Sequence, residues 1–173
     1  LLERYSQALL WHSVSARPTP YAMCSHLTMC AGLSSPGSGE VTIRNEESNW
    51  GNFVVDQMRG AFGNPHAELA FINSGTLRID DYIIGDIAFE DIGRTFGFSS
   101  YLRRVSLSGA EFRDVLEAGY RGSGPSKGYF PQVSGFRVCV DRSRPEGDRI
   151  VSLQVPRDGD WQEIESRRRY GVV

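Results

Sequence analysis

The sequence predicts an α+β fold, because helix-like and strand-like segments mix along it without regular β-α-β alternation. Residues 47–63 and 110–119 carry apolar side chains at the three-and-four spacing of amphipathic helices. Residues 135–155 alternate apolar and polar side chains on both sides of the turn "RSRPEGD", which is typical of a β-hairpin. We find no internal repeat in the sequence.

The N-terminal quarter contains one clear helical pattern. Residues 1–13 have amphipathic spacing in "LLERYSQALLWHSV", and the following "ARPTP" ends the helix because proline cannot continue its hydrogen-bond ladder. Residues 15–39 give no clear signal, although "SSPGSGE" is typical of a loop. The segment "VTIR", at 41–44, is predicted to be a short strand.

The helix within residues 47–63 is predicted from its apolar face and its ends. Asn49 is a candidate N-cap, and Gly60 or Gly63 can close the helix in the left-handed conformation. The predicted core face comprises Trp50, Phe53, Val54, Met58 and Ala61.

The remaining elements follow in order. "AELAFI" is a predicted strand that leads into a turn at 73–78, "FEDIGRTF" is a predicted helical turn, and "YLRRVSLSG" alternates as a strand. Ser108 and Glu111 form the S-x-x-E pattern of a capping box at the start of the next helix. Its core face is predicted to be Phe112, Val115 and Leu116. After the hairpin, "RDGDW" is a further turn.

Composition limits the function classes. The chain has 173 residues, so one domain is the default and two small ones are possible. Its 40% hydrophobic and 23% charged residues are ordinary for a soluble globular protein with a core. A net charge of −2 provides no general attraction for nucleic acid or anionic membranes. The basic run "SRRRY" at 166–170 is interpreted as a solvated edge. The sequence contains no 18-residue apolar run, and its first residues lack the pattern of a signal peptide. It also lacks an initiator methionine, so we expect residue 1 not to be the natural start.

Metal-binding and catalytic patterns are weak. Cys24, His26 and Cys30 do not have a familiar zinc spacing, and the acidic stretch Asp80, Asp81 and Asp86 lacks the calcium-loop pattern. The sequence also lacks the G-x-S-x-G nucleophile elbow. We therefore expect no cofactor in this chain, no catalytic role for its cysteines and at most one local disulfide, between Cys24 and Cys30. Cys139 is expected to pack on a strand.

Ligand-binding residues are better indicated. Arg44, Asn73 and Arg78 lie at predicted strand ends or adjoining turns, where their side chains can converge on one rim. A guanidinium suits phosphate or carboxylate, and a carboxamide both donates to and accepts from hydroxyl groups. The stretch "RTFGFSS" is expected to expose at least one of Phe96 and Phe98. A structural alternative stays open: the arginines pair with local acids and both rings belong to the core.

Six motifs follow one another in a fixed order along the chain: "RNEESNWGNFVVDQMR", "AFINSGTLR", "GDIAFEDI", "VSLSGAEFRDVLE", "FPQVSGFRVCVD" and "RPEGDRIVSL". Together they resemble the C-terminal domain of the 5′-nucleotidase family, which includes UDP-sugar hydrolases. The resemblance implies a C-terminal-like domain over residues 40–173, a linker helix over 1–14 and an unassigned segment over 15–39. It also implies a separate N-terminal metallophosphoesterase domain with two divalent metal ions, and an extracellular or periplasmic location.

The same resemblance implies roles for four residues. Asn73 matches the asparagine that contacts ribose, and Arg78 matches an arginine that reaches toward ribose or phosphate. Arg44 matches a second arginine on the phosphate side, and Phe98 matches the phenylalanine that stacks on the base. Asn73 and Arg78 are the first and last residues of the stretch that corresponds to the family's N-G-G-G-I-R turn.

The sequence departs from the family pattern at three places. "SGT" replaces the glycine triplet, which is expected to add bulk where the backbone approaches the ligand. "FGFSS" replaces P-F-G/N, which leaves the choice between Phe96 and Phe98 open. The sequence ends at "YGVV", before the family's second stacking aromatic and its G-G-D-G aspartate. With one stacking aromatic instead of two, the binding free energy is expected to weaken by roughly 1–3 kcal/mol, the contribution of one stacking contact.

The leading hypothesis is the nucleotide-recognition domain of a 5′-nucleotidase-type hydrolase, inactive when separated from its catalytic domain. A second hypothesis is a non-enzymatic binding or interaction module that keeps the fold. A third keeps the enzyme but changes its substrate to cyclic nucleotides, UDP-sugars or a protein-carried substrate of sulfur oxidation.

Overall fold

The computed structural model describes residues 44, 47–63, 65–78, 88–121 and 128–173. The predicted helix over 1–13 and the segment 15–39 lie outside the described residues, as do the acidic stretch at 80–86 and the two N-terminal cysteines. Of the strand predicted over 41–44, Arg44 alone is described, and it is helical. The strand prediction is therefore wrong at that residue.

Within these ranges the chain forms three α-helices, one short 3-10 helix and seven strands, which is the predicted α+β class. The α-helices are α1 (Asn49–Gly60), α2 (Phe89–Thr95) and α3 (Gly109–Tyr120). The 3-10 helix is Ser74–Thr76. The strands are β1 (Ala70–Asn73), β2 (Val105–Ser108), β3 (Pro131–Ser134), β4 (Arg137–Val140), β5 (Ile150–Arg157), β6 (Asp160–Glu163) and β7 (Arg169–Val172).

The strands form three small antiparallel sheets, β1-β3, β2-β7 and β4-β5-β6. In the first sheet Ala70 lies opposite Ser134 and Asn73 lies opposite Pro131. β1 also hydrogen-bonds to the residue that follows β7, since the Phe71 amide donates to the Val173 carbonyl over 2.9 Å. This bond connects the first two sheets, so β1 is held from both sides.

The N-cap of helix α1 is Ser48, one residue before the predicted cap Asn49. The Ser48 hydroxyl accepts from the Gly51 amide over 3.0 Å, which makes Ser48 the N-cap and Asn49 the first helical residue. At the other end the helix stops at Gly60, so Ala61 is exposed rather than part of the core face. Gly63 adopts the left-handed conformation (φ 73°), but it lies two residues beyond the C-cap Ala61, whose backbone is right-handed (φ −66°), so neither predicted glycine is itself the capping residue.

Helix α3 has the predicted capping box, because the Glu111 amide donates to Ser108 Oγ and the Ser108 amide donates to the Glu111 carboxylate. Phe112 and Leu116 are buried, but Val115 is 40% exposed, so its assignment to the core was wrong. Glu117 is buried on this helix although it is charged. Its carboxylate accepts hydrogen bonds from the amides of Arg149 and Ile150 at the start of β5.

Three apolar clusters hold the described elements together. The largest one joins α3 to the sheets through residues such as Phe112, Phe136 and Tyr170. The second joins α1 to the segment after β1 through Trp50, Phe53, Val54 and Leu77. The third packs Val55 of α1 against Ala67, Ala70 and Val173. Each fully buried side chain of this kind stabilises the fold by roughly 1.5–3 kcal/mol.

The strand predicted from Tyr101 is shorter than expected. The ladder with β7 begins at Val105, opposite Val172, and Tyr101 is almost fully exposed. The hairpin of β4 and β5 forms as predicted, and the turn into β6 places Asp158 and Gly159 at positive φ.

Candidate functional site

The turn at 73–78 is anchored at two inner positions and presents a polar side chain at each end. The Ser74 amide donates to the Phe130 carbonyl over 2.8 Å, and Leu77 is buried in the second cluster. The side chains of Asn73 and Arg78 are exposed on either side of these anchors. Because the anchored residues lie inside the turn, its outer positions are available for contact with a ligand.

The Asn73 carboxamide is oriented by two neighbours. Its Nδ2 donates to the carbonyl oxygen of Gly128 at 3.3 Å, and its Oδ1 accepts from the Thr76 hydroxyl at 2.9 Å. A backbone carbonyl can only accept, so the atom that faces Gly128 must be the amide nitrogen. One Nδ2 proton and one Oδ1 lone pair are not used by these two bonds.

Arg44 reaches the same place from the segment before α1. A side chain on Gly128 would bring its Cβ within 2.9 Å of an Arg44 guanidinium nitrogen and within 2.8 Å of the Gly75 Cα. The Arg44 guanidinium therefore lies against the Gly128 backbone, beside the turn that carries Asn73. Arg44 itself is partly buried.

Arg78 and Phe98 form the other half of the site. The Arg78 guanidinium donates to the Gly75 carbonyl over 3.2 Å, and its Cζ lies 5.9 Å from the centre of the Phe98 ring, within cation–π range. Gly97 makes this approach feasible, because a Cβ at that position would already be 3.3 Å from Arg78 Cγ. The Arg78 amide also donates to the Thr95 carbonyl at the end of α2, so the two segments are tied together.

The structure distinguishes the two phenylalanines that the sequence left open. Phe98 is 67% exposed and pairs with Arg78, whereas Phe96 is about half as exposed, and its amide donates to the Ile92 carbonyl at the end of α2. Neither ring is in the core, so the structural alternative for the phenylalanines is wrong. All four predicted side chains thus lie along one chain of contacts, from Arg44 through Gly128, Asn73 and Gly75 to Arg78 and Phe98. Their roles in binding stay predictions.

The expected effect of the "SGT" substitution is only partly seen. The Ser74 side chain is fully buried, so it adds no bulk on the outer face of the turn. Gly75 is the glycine whose backbone packs against Gly128. Thr76 is the position where a side chain reaches the exposed rim, and its hydroxyl contacts Asn73.

Two residues of the site were missed by reasoning from the sequence. Gly128 lies 55 positions after Asn73 along the chain, and nothing in "SKGYF" indicates that its carbonyl meets the turn. From the sequence, Thr76 is expected only to add bulk, although the signal for its role is local, since threonine at a turn commonly hydrogen-bonds to its neighbours.

The other patterns in the sequence lie away from this site. Arg168 pairs with Glu68 at 2.7 Å, and Arg169 lies 3.7 Å from Glu111, so the basic run forms an exposed, locally paired edge. Cys139 is partly buried on β4, opposite Ser152.

In the described part of the chain, no three or more histidine, cysteine, aspartate or glutamate side chains form a cluster that could hold a metal ion. Among the helices described, none is both long and apolar enough to cross a membrane.

Comparison with known proteins gives a consistent result. Residues 30–173 match the family model described as the 5′-nucleotidase C-terminal domain. The chain is 33% identical over 124 residues to a 5′-nucleotidase of Homo sapiens, covering 66% of this chain and 21% of that protein. It is 30% identical to a snake venom 5′-nucleotidase of Naja atra, covering 65% of this chain and 23% of that protein. The chain thus spans about a fifth of the length of these relatives.

A solved structure shows the same fold. The crystal structure of a 5′-nucleotidase precursor from Thermus thermophilus superposes with a TM-score of 0.72 at 30% identity, covering 77% of this chain and 26% of that one. Sequence and structure therefore agree on the same assignment. The chain belongs to the 5′-nucleotidase family and corresponds to its C-terminal domain.

Proposed function

We propose that this chain is the nucleotide-recognition domain of a 5′-nucleotidase-type hydrolase. The observation that carries the proposal is the Arg78–Phe98 pair beside Asn73 on one exposed rim. An aromatic face next to a guanidinium and a carboxamide matches the three parts of a nucleotide: base, phosphate and sugar.

The division of labour follows from the chemistry of each group. Phe98 stacks on the base, because its ring is largely exposed and stacking accepts any base. Arg44 and Arg78 offset the negative charge of the phosphate, and Asn73 orients the sugar. Holding the nucleotide in one position lowers the entropic part of the barrier to hydrolysis.

Hydrolysis itself is assigned to a separate N-terminal metallophosphoesterase domain of the same protein. Two divalent metal ions held there would supply an activated water for attack on the phosphate ester. The described residues of this chain bind and orient the nucleotide. Residues 1–14 are proposed to form the helix that joins the two domains, and export from the cytoplasm is proposed because a relative is a venom protein.

The test is calorimetric titration of the full-length protein with AMP and adenosine. Phe98→Ala should weaken binding of both ligands by roughly 1–3 kcal/mol with little dependence on salt. Arg78→Ala should cost roughly 1.5–3 kcal/mol, more for AMP than for adenosine, and the loss should shrink at high salt.

A matched control exists on another sheet. The Arg137 guanidinium lies 4.1 Å from the ring of Trp161, so this pair has the same chemistry outside the rim. Arg137→Ala and Trp161→Ala should leave both affinities unchanged. If the rim variants lower only the melting temperature, the proposal is wrong. If AMP binds normally but the full-length protein releases no phosphate with divalent metals present, the protein is a binding module instead.

A further inference from the structure

We propose that Thr76 is a specificity-determining residue that, with Asn73, recognises a sugar hydroxyl of the ligand. This inference rests on the proposed function and assigns a role to a side chain outside the set predicted from sequence. Thr76 lies at the end of the 3-10 helix, partly exposed, on the same turn as Asn73 and Arg78.

The first step is the direction of the Thr76–Asn73 hydrogen bond. Since Asn73 Nδ2 faces the Gly128 carbonyl, the atom that faces Thr76 must be Oδ1, which can only accept. The Thr76 hydroxyl must therefore donate its single proton to Asn73 over 2.9 Å. Its oxygen then retains only acceptor capacity.

The second step is what this arrangement offers a ligand. Asn73 retains one N–H donor, and Thr76 presents an acceptor oxygen because its single proton is already donated to Asn73 Oδ1. A hydroxyl both donates and accepts, so one sugar hydroxyl can accept from Asn73 and donate to Thr76. A ligand that lacks this hydroxyl would leave both groups without that partner.

The third step is rigidity. Gly128, which holds the Asn73 nitrogen, is packed against the Gly75 backbone, so the carboxamide is fixed at both ends before a ligand arrives. A fixed pair loses less conformational entropy on binding than two mobile side chains would. Asn73 and Thr76 therefore favour a hydroxyl at one position of the ligand's sugar ring.

The experiment measures the affinities of the full-length protein for AMP, 2′-deoxy-AMP and 3′-deoxy-AMP. Thr76→Val keeps the shape of the side chain and removes its hydroxyl, and Thr76→Ser keeps the hydroxyl. We expect Thr76→Val to weaken AMP binding roughly five- to tenfold. It should leave the affinity for one of the two deoxy analogues unchanged, and Thr76→Ser should bind AMP like the natural protein. Thermal melts check that both variants fold.

The outcomes separate this inference from the proposed function. Equal weakening of all three ligands by Thr76→Val would mean that Thr76 only supports the turn, and an unchanged affinity for AMP would mean that it contributes nothing. Either result overturns the inference and leaves the proposed function standing. Absence of AMP binding by the natural protein would overturn both.

Discussion

The Gly75 amide donates a hydrogen bond of 2.9 Å to the Gly128 carbonyl, and the two backbones approach too closely there to admit a side chain on Gly128. Asn73 bonds to the same carbonyl, and the Arg44 guanidinium lies over the same glycine. This contact therefore determines where three parts of the candidate site lie relative to one another.

Gly128→Ala should destabilise the protein and weaken nucleotide binding together. The residue has φ 59°, which costs an alanine roughly 1 kcal/mol, and the new methyl group would press on Gly75 and Arg44. Overpacking of this kind adds roughly 1–3 kcal/mol. Gly63→Ala is the control, because Gly63 has φ 73° and none of the described atoms lies within 4 Å of its Cβ position. If urea unfolding shows that Gly128→Ala and Gly63→Ala lower the free energy of unfolding equally, crowding at Gly128 is unimportant.

Two glycines of α1 should respond to alanine in opposite directions. At Gly60 the Cβ position has no neighbour within 4 Å in the described part of the chain, so Gly60→Ala should stabilise the helix by roughly 0.5 kcal/mol. At Gly51 a Cβ would overlap the buried carboxamide of Gln132, which accepts from the Ser48 amide. Gly51→Ala should therefore destabilise the protein by roughly 1–3 kcal/mol. Stabilisation by both changes in urea unfolding would contradict the packing described for α1.

Thr95→Val should cost roughly 1–3 kcal/mol of stability, because it removes the acceptor of a buried indole N–H. Trp50 Nε1 donates to Thr95 Oγ1 over 3.0 Å, and Thr95 donates in turn to the Asp91 carbonyl over 2.7 Å. The bond ties α1 to α2, whose end is hydrogen-bonded to Arg78.

A double-mutant cycle isolates that bond. Trp50→Phe removes the N–H while keeping a ring, so Thr95→Val should cost less in that background than in the natural protein. Additive losses would mean that the indole bond contributes no coupling energy, and the cost of Thr95→Val would have to come from the Asp91 bond alone.

Glu47 should make stability fall as pH rises. Burial raises the pKa of Glu47 above its ordinary value of 4.5, an effect opposed by a hydrogen bond from Asn52. Between the unfolded and the folded pKa, the folded protein binds more protons, so stability decreases across that window. Glu47→Gln cannot ionise. Its stability relative to the natural protein should therefore increase as pH rises from about 4.5.

Glu111 provides a control of opposite sign. Hydrogen bonds with the Ser108 amide and hydroxyl hold the pKa of Glu111 below 4.5. The stabilisation it provides is present above the unfolded pKa and is lost as pH falls through the lower folded pKa. Glu111→Gln should therefore lose stability relative to the natural protein above that pH. Urea unfolding at several pH values measures both curves, and parallel curves for the two variants would refute these assignments.

Several elements could be predicted because their signals are local. The Ser108–Glu111 capping box joins groups three residues apart, and the hairpin of β4 and β5 is specified by alternation on both sides of one turn. The N-cap of α1 was misplaced by one residue, since Ser48 and Asn49 are both good caps and the choice depends on the hydrogen bond between the Ser48 amide and Gln132.

Exposure was harder to predict than periodicity. Val115 has the spacing of a core residue on α3 but lies outside the stripe that the sheets cover. Glu117 is charged and yet buried, because the amides at the start of β5 provide its hydrogen bonds. Such partners come from more than thirty residues away in the chain, so no local window contains them.

By itself the sequence determined the α+β class, most helix positions and the four residues proposed for the rim, since each depends on short-range spacing or on collinear motifs. Only the tertiary structure decided that Phe98 rather than Phe96 pairs with Arg78, and that Ser74 points inward while Thr76 reaches Asn73. The direction of the Asn73–Thr76 pair follows from a contact 53 positions apart in the chain, because Asn73 donates to the Gly128 carbonyl that also accepts from the Gly75 amide.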